Sequence, residues 1–127
     1  MDNDKAITLA MASAAASSFS PNAFYEKRAV EAGYLTLRRY LADKFPAVTN
    51  DLLDIGPGSA ERQAIIGQQL RDSGAARDPQ VLAMAAQLAG SVIHHNPTAV
   101  EAVFARTKDL RHAFDTINTD LRRRGQD

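Results

Sequence analysis

Residues 96–124 read NPTAVEAVFARTKDLRHAFDTINTDLRRR. Val100, Val103, Thr107, Leu110, Phe114, Ile117 and Leu121 recur at alternating spacings of three and four, a heptad seam over about three repeats. The spacing predicts one long amphipathic helix over 96–124. Asn96 suits its cap and Pro97 its first position, where no amide hydrogen is needed. Arg122, Arg123 and Arg124 complement the negative end of the helix dipole, and Gly125 stops the helix. Such a seam needs cover, either from the rest of the chain or from a second chain.

Working outward, helix and break signals alternate along the chain. Asp78-Pro79 opens a helix to His94 that is apolar on much of its circumference, through Val81, Leu82, Met84, Ala85, Leu88, Ala89, Val92 and Ile93. That pattern predicts the most buried element. Before it, Ser59 caps a helix to Ser73 with Ile65, Ile66 and Leu70 as its stripe, and Gly74 takes the left-handed C-cap position. Gly56-Pro57-Gly58 separates this from a short helix over 47–55 that turns Val48, Leu52 and Leu53 inward. Ser20-Pro21 opens a second helix whose face carries Val30, Tyr34, Leu37, Leu41 and Phe45; Gly33 marks close packing or a bend, and Pro46 ends it. Residues 4–18, nearly all Ala and Ser around Ile7, Leu9 and Met11, form a first helix whose small side chains admit a close neighbour. The expected fold is all-α: a compact six-helix bundle, with residues 1–127 as a single helical domain.

Composition agrees. The chain has 127 residues, 45% of them apolar and 24% charged, enough for one core. Abundant Ala favours helix. Fifteen Lys and Arg balance fifteen Asp and Glu, which gives no electrostatic case for nucleic acid as the main partner and little self-repulsion. The absence of Cys removes disulfides and thiolate zinc sites and agrees with a cytoplasmic protein. The start of the chain is acidic rather than a basic leader, and the Ala-rich run is too short and too weakly apolar to span a bilayer.

Catalytic and cofactor chemistry finds no support in the residues. Neighbouring His94 and His95 point about 100° apart on a helix, and His112 stands in no ligand-pair spacing to them, so no metal site is expected. Their place at a helix end suits bonding to free carbonyls. Gly56-Pro57-Gly58-Ser59 lacks the GxxxxGK[ST] pattern and a preceding strand, and reads as a turn before a capped helix. No Gly-x-Ser-x-Gly elbow occurs. The expectation is a protein that is not an enzyme and uses no cofactor.

Charge clusters remain. Lys27-Arg28, Arg38-Arg39 and Arg122-Arg123-Arg124 are basic, yet Glu26, Glu31, Asp43, Asp115 and Asp120 interrupt them, against a nucleic-acid stripe. Asp51 and Asp54 form an acidic counterpart to Arg38 and Arg39. Opposed patches of this kind can pair between proteins, and these four residues are the expected interaction site.

Three stretches carry a resemblance. Ala6-Ile7 with the Ala-rich run, Glu31-Ala32-Gly33-Tyr34-Leu35-Thr36-Leu37-Arg38-Arg39-Tyr40-Leu41 with Lys44-Phe45, and Ser59-Ala60-Glu61-Arg62-Gln63 followed by Gly74-Ala75-Ala76-Arg77-Asp78-Pro79-Gln80-Val81-Leu82-Ala83-Met84-Ala85 resemble bacterial effector-associated death-fold domains, similar to the caspase recruitment domain, of anti-phage defence operons. The resemblance covers roughly residues 5–93. It implies a death-fold-like bundle and a non-catalytic adaptor or recruitment role through homotypic contacts. Its partners would be the same or homologous helical domains on a protease, a pore former or a nucleotide-binding sensor. The alternative is a helical homodimer with a regulatory or antitoxin-like role, joined through the last helix.

Overall fold

A computed structural model describes residues 2–18, 26–49, 52–55, 59–95 and 108–125. These residues are helical with no strand: α1 (Asn3–Ser18), α2 (Glu26–Lys44), α3 (Leu52–Ile55), α4 (Ala60–Ser73), a 3-10 turn (Ala75–Arg77), α5 (Pro79–His95) and α6 (Lys108–Gly125). Among them none is long and apolar enough to cross a membrane. Five of the helices are long. The expected short helix over 47–55 is a single turn, so the described bundle has five full helices rather than six. The chain turns at Pro46, where α2 has ended, and Val48 N–H bonds back to the Phe45 carbonyl.

α1, not α5, is the most buried element. Every residue from Ala6 to Ala15 is buried, and α1 packs against every other element. The sequence pattern points to α5 because its apolar side chains are larger than those of α1. Ala and Ser add little apolar surface, but they let neighbours close on a helix from all sides. The buried hydroxyls of α1 bond within it: Thr8 Oγ1 donates to the Asp4 carbonyl at 2.7 Å and Ser13 Oγ to the Ala10 carbonyl at 2.9 Å. These bonds remove most of the penalty of burying a hydroxyl.

Around α1, α2 packs on α5, and α5 on α6. Gly33 permits the first contact, since a Cβ there would come within 3.3 Å of Leu88 Cδ1. The expected core residues Tyr34, Leu37, Leu41, Leu70, Leu88, Val92 and Leu110 are buried, and Phe114 packs half-buried against them. Ile65 departs from expectation: it is 40% exposed, and only Ile66 and Leu70 of its stripe reach the core.

The local stop and start signals operate as their chemistry requires. Ser59 Oγ accepts from Arg62 N–H at 3.2 Å, Asp78 Oδ1 accepts from Gln80 N–H at 2.8 Å, and Gly74 closes α4 at φ +86°. Ser20-Pro21, Gly56-Pro57-Gly58 and Asn96-Pro97 lie outside the described residues, as do Val100, Val103 and Thr107 of the heptad seam. The described half of that seam is covered by its own chain: Leu110 and Ile117 are buried, and Phe114 and Leu121 pack against the core.

Candidate interaction surface

α2 is two-faced. Val30, Tyr34, Leu37 and Leu41 point inward and are buried, while Ala32, Leu35, Thr36, Arg39, Ala42 and Asp43 are exposed. Leu35 is 47% exposed. Among the described residues it and Ile65 are the exposed large apolar side chains.

The two expected arginines differ in how they are held. Arg38 is half-buried, its guanidinium carbon 5.5 Å from the centroid of the Tyr34 ring. Tyr34 is itself immobilised in the core at 1% exposure, so it is a fixed platform four residues back on the same helix face. Arg39 projects into solvent. Asp51 lies outside the described residues, and Asp54 is the third residue of α3.

One helical turn further, Lys44 sits 5.8 Å from the centroid of Tyr40, and Tyr40 Oη donates to Asp78 Oδ2 at 2.9 Å. The same carboxylate thus caps α5 and ties α2 to it. Desolvation first, then the hydrogen bond to Asp78 and that carboxylate's charge, raise the Tyr40 phenol above its ordinary 10.0.

A second polar feature has no signal in the sequence. Where the start of α1 meets the 3-10 turn and α6 lies a groove of about 760 Å³, with Asp2, Asp4, Arg71, Arg77, His112 and Arg123 among its lining. Arg71 Nη2 donates to Asp4 Oδ2 at 2.9 Å; the Asp4 side chain is 11% exposed and the Arg71 side chain 61%. That hydrogen bond, and then the charge of Asp4, push the Arg71 pKa up. Asn3 Nδ2 and Arg124 Nε both donate to Asp120 Oδ2, at 3.0 and 3.1 Å. The groove draws on three stretches far apart in sequence, so no local motif announces it.

Among the described residues no three His, Asp or Glu side chains gather as metal ligands. His94 is exposed near the end of α5, and His112 lies on α6 in the polar groove. Comparisons with protein families, with curated proteins and with solved structures each find no match.

Proposed function

We propose that this protein is a non-catalytic recruitment module that joins copies of itself, or homologous helical domains, through the outer face of α2. One observation carries the reading: an exposed apolar residue, Leu35, stands beside Arg38 and Arg39 on a helix whose inner face is already committed to the core. Apolar contact with flanking charge suits partner recognition, where charge steers and selects. The resemblance to bacterial death-fold domains supports the same role and suggests an adaptor in anti-phage defence, working in the cytoplasm. The rival reading, a homodimer seamed by the last helix, loses ground because Leu110 and Ile117 are consumed within the monomer.

The reading is tested by fusing the chain to the two halves of a split reporter in bacterial cells. Co-expression should restore the reporter, and Arg39→Glu should abolish the signal at unchanged protein level. A signal that survives Arg39→Glu overturns the role of α2.

A further inference from the structure

We propose that α2 pairs antiparallel with α2 of a second copy, about a two-fold axis passing at Leu35. This rests on the recruitment reading above and gives it a geometry.

The order of side chains around Leu35 selects that arrangement. Glu31 lies four residues before it and Arg39 four after. At about 1.5 Å rise and 100° per residue, they sit about 6 Å to either side of Leu35 along the axis, and about 40° to either flank. When two such helices run antiparallel and meet at Leu35, the partner's Glu31 comes level with Arg39 and beside Arg38. The relation occurs twice because the contact is two-fold. Parallel pairing would instead set Glu31 against Glu31 and Arg39 against Arg39, like against like. A two-fold interface must be complementary to itself, and this face is.

Exposure and bulk agree. Leu35, Arg39 and the small Ala32 and Ala42 are all exposed, and the small side chains at 32 and 42 leave room for a second helix beside Leu35. Ile65, the other exposed large apolar side chain among the described residues, has Glu61 and Gln69 at the same offsets and lacks that complementarity. A single helix pair covers less than about 1,200 Å² in total, the size of transient contacts. The pairing is therefore driven by concentration and by local enrichment.

The chain contains no cysteine, so a single introduced thiol reports on its own position. Leu35→Cys should give a disulfide-linked dimer on mild oxidation, while Ile65→Cys, also exposed on α4, should stay monomeric. Adding Arg39→Glu to Leu35→Cys should slow crosslinking at least tenfold, and adding Glu31→Arg to that pair should recover several-fold of the loss. Far-UV circular dichroism verifies that each variant is folded. The proposal is overturned if Leu35→Cys crosslinks no faster than Ile65→Cys, or if Arg39→Glu leaves the rate unchanged. Either result, obtained while the split reporter still depends on Arg39, removes this geometry and leaves recruitment through α2 standing.

Discussion

The guanidinium of Arg38 lies over the ring of Tyr34, and the ring is locked in the core. Arg38 therefore meets a partner already ordered, whereas Arg39 must be ordered on contact. Holding a long side chain in advance lowers the entropy lost on binding.

The two arginines should separate in mutagenesis. Arg39→Glu is expected to shift stability by within about 0.5 kcal/mol, as for most exposed positions. Arg38→Glu should cost about 0.5–1 kcal/mol more, from the lost stacking. Both should weaken self-association, and added salt should weaken it in the wild type, since exposed charges are screened beyond roughly 8–10 Å. Chemical denaturation and sedimentation at two ionic strengths measure the two effects. Equal stability losses would mean that the Tyr34 platform contributes nothing.

Core substitutions should fail in opposite directions on α5 and α1. Leu88→Ala should destabilise by about 2–5 kcal/mol through the cavity it leaves. Ala10→Leu should destabilise by about 1–3 kcal/mol or more through crowding, because Ala10 is fully enclosed. Ala83→Leu, on the exposed side of α5, is the control and should be nearly neutral. A neutral Ala10→Leu in a denaturant titration would remove α1 from the centre.

Tyr40 gives stability a pH dependence with a definite sign. Its phenol is raised in the folded state above 10.0, so folding holds its proton more tightly than the unfolded chain does. The stability that Tyr40 contributes is fully present below the unfolded pKa. It is lost as pH rises through the folded one. The advantage of the wild type over Tyr40→Phe should be constant near neutrality and shrink above about pH 10. Ultraviolet titration of tyrosinate, with Tyr40→Phe as the subtraction, should show the late-titrating ring. An advantage that grows with pH contradicts the Asp78 contact.

Gly74 tests the junction between α4 and α5. Its φ of +86° is one that side chains resist. Nothing stands within 4 Å of the position its Cβ would take, so any loss is conformational rather than steric. Gly74→Ala should cost about 1–2 kcal/mol, and Gly74→Asn less, by thermal unfolding. If Ala proves as stable as Gly, the left-handed cap is not formed in solution.

What could be read from the sequence was what short-range chemistry decides. Ser59, Gly74, Asp78 and Pro46 act within a turn of themselves, and their positions were legible residue by residue. The inward face of α2 was legible too, because its large apolar side chains repeat at helical spacing. The depth of α1 was not. An alanine carries almost no preference of its own between inside and outside, and its burial is decided by whatever closes on it. Ile65 misled for the converse reason: an apolar side chain at the edge of a stripe has no neighbour to cover it. At the candidate site, Arg38 and Arg39 were legible as a charged pair. The difference between them was not, since it depends on the Tyr34 ring. The polar groove joins Asp4 to Arg71 and Asn3 to Asp120, pairs that no local spacing relates.

The enclosed α1 also bears on how the protein is made. A ribosome releases α1 well before α6, yet the Asn3–Asp120 bond joins the two across 117 residues. At roughly 5–20 residues per second, the earliest helix waits on the order of ten seconds for its final wall. During that interval α2, α4 and α5 present their leucines and isoleucines with α1 only partly enclosed. A message cut short before α6 would leave that apolar seat open and hand the nascent chain to chaperones or proteases. Burial of α1 is thus a property of the whole set of described helices and is not reached by any part of them alone.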